Sequence, residues 1–204
     1  MTLDGDAKMP LTDEGSLVER AVRREADAFG QLYECHVDRI YRYVYYRVGS
    51  SSEAEDLTEQ VFLKAWEAID RYQHRGTPFA AWLYRLAHNL VVDHYRGKRI
   101  TAPLEDVGES EEPSVDVSLE VEESLEAEEV RAALSQLNPE HQQLLILRFI
   151  EGLSHAEAAE IIGKSEGAAR VIQHRALQAL ARALRNDEEK AQRARGKSAD
   201  QLPG

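Results

Sequence analysis

Residues 145–176 read LILRFIEGLSHAEAAEIIGKSEGAARVIQHRA, and the fold turns on this stretch. Ser154 precedes a helical run and Glu157 follows three residues later. That is a capping box, in which side chains satisfy the free amides of a helix start. Ala158, Ala159, Ile161 and Ile162 give this helix a small apolar face. Gly163 ends it, because glycine accepts the left-handed conformation found just past a helix C-terminus. Ser165 can cap a second helix whose inner face is Ala169, Ile172, Ala176, Leu177 and Leu180. Small residues let two steeply crossing helices bring their backbones close. Arg170, Val171, His174 and Arg175 point outward. This is the pattern of a helix-turn-helix that reads the major groove of DNA. A glycine-turned hairpin with a purely structural role fits the same segment, so the decision rests on the remaining chain.

The 204 residues allow one or two domains, and 30% of them are charged. No strand-like alternation stands out, which favours an all-α fold. A single cysteine, Cys35, excludes an internal disulfide, and the seven histidines show no metal-ligand spacing. No cofactor and no metal are expected. No leader peptide and no apolar run near membrane-spanning length is visible, so the expectation is a cytoplasmic protein without membrane insertion. The formal charge of −12 looks wrong for a nucleic-acid binder, but it is unevenly spread. Residues 104–129 hold 12 acidic and no basic side chains, while the segments on either side are close to neutral. The acidity therefore belongs to one stretch, and local basic patches survive around it.

Outward from the helix-turn-helix, Asn138-Pro139 caps and starts a helix over 139–151, preceded by one over 125–137. Residues 101–125 carry Pro, Ser and many acids with few apolar residues. They read as a flexible acidic linker that repels itself into an extended state. Before it, helices are expected over 16–35, 37–48, 52–69 and 78–95. In the third, Leu57, Val61, Phe62, Ala65, Trp66 and Ile69 form one apolar stripe, with Asp56, Glu59, Gln60, Lys64 and Glu67 opposite. In the fourth, Pro78 sits at the start, where a missing N–H costs little. Phe79, Trp82, Leu83, Leu86, Ala87, Leu90 and Val91 form its stripe. The reading is two small helical domains, 16–100 and 126–185, joined by the acidic linker. Residues 1–15 and 186–204 are expected to be flexible ends.

The segment 71–99 interleaves cations and aromatics: Arg71, Tyr72, His74, Arg75, Phe79, Trp82, Tyr84, Arg85, Tyr95, Arg96, Lys98 and Arg99. Single-stranded DNA binding uses this mixture, cations for phosphates and flat rings or pockets for unstacked bases. Trp82 and Phe79 lie on the apolar stripe, where core packing is the simpler explanation. Arg85 and Asn89 lie one turn apart on a polar face, and an asparagine can bond a base edge. The acidic side chains sit on solvated faces without a pocket to perturb them, so no catalytic residues are assigned.

With both ends read, the chain resembles bacterial sigma factors of the extracytoplasmic-function group, within the sigma-70 family. DLTEQVFLKAWEAI (56–69) resembles region 2.2, and TPFAAWLYRLAHNLVVDHYRGKR (77–99) resembles regions 2.3 and 2.4. LNPEHQQLLILRFIEGLSHAEAAEIIGKSEGAARVIQHRALQAL (137–180) resembles region 4. The resemblance covers about 28–184 and implies a subunit that binds core RNA polymerase and directs it to promoters. It implies that Asp56, Glu59, Gln60, Leu63 and Lys64 dock on the clamp of the β′ subunit, with the second domain meeting the flap of β. Tyr72, His74, Arg75, Arg85, Asn89, Arg96, Lys98 and Arg99 would engage and help melt the −10 element. Ser165, Arg170, Val171, His174 and Arg175 would meet the −35 element as duplex. An anti-sigma factor is a further implied partner.

Two departures from the family pattern stand out. Glu59-Gln60 reverses the common Gln-Glu order, which rearranges charge on the clamp-facing surface. Ala168-Ala169-Arg170-Val171 replaces a run that usually carries hydroxyls, which changes what the recognition helix offers to bases. Two rival classes remain: an ordinary helix-turn-helix regulator with a sensing domain, and a helical adaptor that binds only proteins. The first does not need the basic-aromatic segment 71–99, and the second needs neither module's cations.

Overall fold

A computed structural model describes residues 11–73, 78–101 and 125–199, with side chains over 14–73, 78–98 and 128–186. Eight α-helices, and no strand, occur among the described residues. The chain divides into two compact units, residues 1–44 with 52–104, and residues 45–51 with 105–204. The loop residues His74 and Arg75 and nearly all of the acidic stretch lie outside the described residues.

The first unit contains α1 (Leu11–Val22), most of α2 (Ala26–Val48), α3 (Ser51–Ala68) and α4 (Phe79–Thr101), with one 3₁₀ turn at Ile69–Arg71. The apolar stripes meet in its core. Leu17 and Val18 of α1, Leu32, Ile40 and Tyr43 of α2, Leu57, Val61 and Phe62 of α3, and Leu83, Tyr84 and Val91 of α4 are buried. Tyr43 and Tyr84 pack edge to face with ring centres 5.3 Å apart, a geometry that suits the opposite charge of ring faces and edges. Tyr84 therefore belongs to the core and not to the cation–aromatic surface in which the sequence grouped it.

The break between the first two helices lies elsewhere than the sequence reading placed it. The break expected at position 36 is absent, and α2 runs straight through it. His36 is instead buried, bonded to Glu14 of α1 at 3.2 Å and set against the Phe79 ring. The real break comes at 23–25, where Arg24 takes a left-handed φ of 64°. Backbone bonds from Arg24 to Ala21 and from Glu25 to Arg20 close the turn there. A left-handed conformation strains a residue with a Cβ by about 1–2 kcal/mol. The Arg24 side chain offsets this at the C-terminus of α3. It donates to the Trp66 and Glu67 carbonyls, pairs with Asp70 at 3.0 Å and lies over the Trp66 ring. A cation among the unpaired carbonyls of a helix end is well placed.

The second unit carries α5 (Leu125–Ser135), α6 (Pro139–Leu145), a π-helical turn at Ile146–Ile150, α7 (His155–Ile161) and α8 (Glu166–Ala199). Asn138 caps α6, its side chain accepting from the His141 amide at 2.8 Å, with Pro139 in the first turn. Both halves of the Ser154–Glu157 capping box are formed. Gly163 has φ 68°. The Lys164 amide bonds Ala159 and the Gly163 amide bonds Glu160, which is a Schellman closure of α7. α8 packs against α5, α6 and α7 through Ala169 and Ala176, both fully buried. Leu177, expected on that inner face, is exposed. It lies seven residues from Arg170, hence on nearly the same side as that outward arginine. The backbone of the C-terminal segment, expected as a flexible tail from 186, continues α8 through Ala199. Residues 188–195 (EEKAQRAR) contain good helix formers and no breaker.

Candidate nucleic-acid interface

The N-terminal end of α8 is built for exposure. Ser165 caps it, its hydroxyl accepting from the Ala168 amide at 3.2 Å. Ala169 and Ala176 anchor the helix inward, so Arg170, Val171, His174 and Arg175 all face solvent. Arg170 pairs with Glu166 one turn earlier at 2.5 Å. His174 shares a hydrogen bond with Gln178 at 3.1 Å. Arg175 makes no ion pair among the described residues. Behind this surface Arg148 holds the hairpin together. Its guanidinium donates to the Leu153 carbonyl and, at 3.2 Å, to the Gln173 side chain on α8. Sequence reasoning passed over Arg148 and Glu166, the first because its partners are set by tertiary packing, the second because it lacked the expected charge.

In the first unit, Arg85 and Asn89 lie one turn apart on α4, half-buried and exposed respectively. Tyr72 follows the 3₁₀ turn in extended conformation and is half-buried. Its ring packs 5.5 Å from Phe79 and 5.1 Å from Trp82, which lie 5.5 Å from each other. Trp82 is half-buried in this cluster, and so it forms the rim of the core. Further along α4, Arg96 is exposed and pairs with Asp93 at 3.6 Å. Lys98 is tied to Glu53 of α3, which also meets His94 at 3.3 Å. Burial pushes the Glu53 carboxyl up, but Lys98 and His94 more than offset this and hold it below its ordinary range. This three-residue latch spans 45 positions of sequence and has no local signature. The backbone of Arg99 continues α4, and its side chain lies outside the described residues.

On α3, Asp56, Glu59, Gln60 and Lys64 are exposed as expected. Leu63 is 58% exposed among them. Beside it Ala26, Phe29, Gly30, Tyr33 and Trp66 line a shallow apolar cleft between α2 and α3. Trp66 thus faces this cleft and is only partly in the core stripe. An apolar patch rimmed by carboxylates suits a protein partner. Among the described residues no cluster of acidic, histidine or cysteine side chains could hold a metal ion, and no helix is long and apolar enough to cross a membrane.

Residues 32–100 match the model of Sigma-70 region 2, and residues 133–182 match that of Sigma-70 region 4. The chain is 45% identical to the ECF RNA polymerase sigma factor BldN of Streptomyces coelicolor, over 88% of this chain and 71% of that one. It is 35% identical to the ECF RNA polymerase sigma factor SigD of Mycobacterium tuberculosis, over 88% of this chain and 89% of that one. Among solved structures it resembles CnrH in complex with the cytosolic domain of CnrY. That likeness has 25% identity and a TM-score of 0.66, over 86% of this chain and 99% of that one. The sigma factor RpoE of Bartonella quintana, solved with the anti-sigma factor NepR, shares the fold at 24% identity and TM-score 0.65, over 77% and 96% of the two chains. Two helical modules with a region 2 and a region 4 pattern, in that order, define a promoter-specificity subunit. The chain belongs to the ECF RNA polymerase sigma factors.

Proposed function

We propose that this sigma factor divides its work between its two modules at the residues described above. The face of α3 with Asp56, Glu59, Gln60, Leu63 and Lys64 docks on the clamp of β′, and the cleft beside Leu63 extends that surface. The second domain meets the flap of β. Arg85 and Asn89, with Tyr72, His74 and Arg75, take the −10 strand as it unpairs, while Arg96, Lys98 and Arg99 neutralise phosphates. Ser165, Arg170, Val171, His174 and Arg175 read the −35 duplex. The acidic stretch 101–125 connects the domains 16–100 and 126–185. The protein acts in the cytoplasm, as a specificity subunit without catalysis of its own. The likeness to CnrH, solved with a protein partner, supports an anti-sigma factor as a further partner.

The observation that carries this reading is the seating of α8. Buried Ala169 and Ala176 turn a contiguous set of cations and one valine outward at the start of a helix-turn-helix recognition helix. Reconstitution tests it. Core polymerase with the full chain should produce promoter-specific transcripts, and Arg175→Ala should weaken them. Asn89→Ala should slow strand opening, read by permanganate reactivity of unpaired thymines, more than duplex binding. Tight promoter binding by the chain alone, indifferent to polymerase, would return it to the ordinary regulator class.

A further inference from the structure

Two large apolar side chains of α8 are exposed among the described residues, Leu177 in its fourth turn and Val171 near its start. Positions 171, 174, 175 and 178 share a face at helical spacing. Three of them are His174, Arg175 and Gln178, all exposed. The fourth is Val171, 50% exposed. The fold gives no reason for a valine here. The inward contacts of this part of α8 are made by Ala169 and Ala176, which are fully buried. A β-branched residue is also a weaker helix former than the long polar residues around it. The position is, however, the sixth residue of the recognition helix, within the part that meets base edges in a helix-turn-helix. In the major groove one apolar group is displayed, the C5-methyl of thymine.

We propose that Val171 is a specificity residue that packs on the methyl group of one thymine in the −35 duplex. Arg170 and Arg175 flank it and are long enough to reach phosphate or guanine. The valine is short and has no polar atom, so it touches a base only where something apolar projects toward it. Such a contact selects thymine over cytosine, which lacks the methyl. The inference rests on the assignment of α8 to the −35 element.

The test uses holoenzyme and a promoter selected from a randomised library. Each −35 thymine is replaced singly by deoxyuridine, which removes only the methyl group. With wild-type chain, one replacement should weaken binding about fourfold, the factor carried by one buried methyl. With Val171→Ala, binding to the unmodified promoter should fall by a similar factor. The same deoxyuridine should then be silent, and selection should lose its thymine preference at that position alone. The melting temperature of Val171→Ala should be unchanged or higher, which separates a lost contact from a lost fold. Three results overturn the proposal: no deoxyuridine effect with wild type, a deoxyuridine penalty that persists in Val171→Ala, or a selected −35 element without thymine. Failure of the wild-type holoenzyme to select any promoter would instead remove the assignment of α8, and this contact with it.

Discussion

Replacing Glu166 by Gln should tighten promoter binding, although Glu166 stands in the recognition helix. Its carboxylate holds Arg170 at 2.5 Å, both side chains being about half exposed. An exposed pair at this spacing is worth about 0.3–0.5 kcal/mol. Arg170 must give up that energy to reach DNA, so the pair costs about a factor of two in affinity. The carboxylate also repels phosphates. Two like charges about 7 Å apart in water oppose each other by about 0.6 kcal/mol before salt screening. Together the two effects predict binding about three- to fivefold tighter for Glu166→Gln. They also predict a loss of about 0.3–1 kcal/mol in stability, because an acid at a helix start favours the helix dipole. Holoenzyme binding to a labelled promoter at several salt concentrations measures the first effect, and thermal unfolding the second. Arg170→Ala should reduce the salt slope by about one unit if its contact is to phosphate. Weaker binding by Glu166→Gln would refute the reasoning, since it would make Glu166 a base-reading residue that accepts from cytosine.

Other expectations follow from single features of the fold. Arg24→Gly should be more stable than Arg24→Ala by about 1 kcal/mol, because glycine accepts the φ of 64° without strain; equal melting temperatures would show that the turn relaxes. Glu14 is held below its ordinary value of 4.5, first by the hydrogen bond from His36. A carboxyl lowered on folding stabilises the protein above its unfolded pKa, and that stability is lost as pH falls through the folded value. Glu14→Gln should therefore lower the melting temperature at neutral pH and flatten its decline below about pH 4.5. Trp82→Ala should lower stability by about 2 kcal/mol, short of the 3–5 typical of a fully buried ring, since Trp82 keeps part of its surface in water. Asn138→Ala should cost about 1 kcal/mol through loss of the α6 cap, read as a shift in denaturant midpoint.

The parts of this molecule written in local chemistry could be read from the chain. Ser154, Glu157 and Gly163 mark both ends of α7 because a cap and a left-handed stop need particular residue types at fixed spacing. Asn138-Pro139 did the same for α6. The outward set on α8 followed from the burial of Ala169 and Ala176. Features decided by tertiary packing were not legible. Arg24 turns the chain without being a glycine, because its partners lie more than forty residues away on α3. His36 looked like a break, and it is the buried partner of Glu14. The π turn at Ile146–Ile150 shifts the helical register, so a fixed period through LLILRFI misjudges which side chains turn outward. Phe149 lies within that turn and is exposed. The Glu53 latch changes the picture of the −10 surface most. Lys98 stays exposed but is tied to Glu53, so it meets a phosphate only in competition with that carboxylate.

α8 is one unbroken helix of 34 residues, about 51 Å long. Its first three turns carry Arg170, Val171, His174 and Arg175, and beyond Ala183, the last buried residue among those described, the helix continues to Ala199. A rod of that kind is a lever. A helix resists bending far more than a loop does, so a tilt imposed at the far end arrives at Arg170 and Arg175 as a tilt of the reading head. Groove contacts depend on placement to within about an ångström. The angle of this rod, set at a point remote from any base, is therefore a term in promoter affinity.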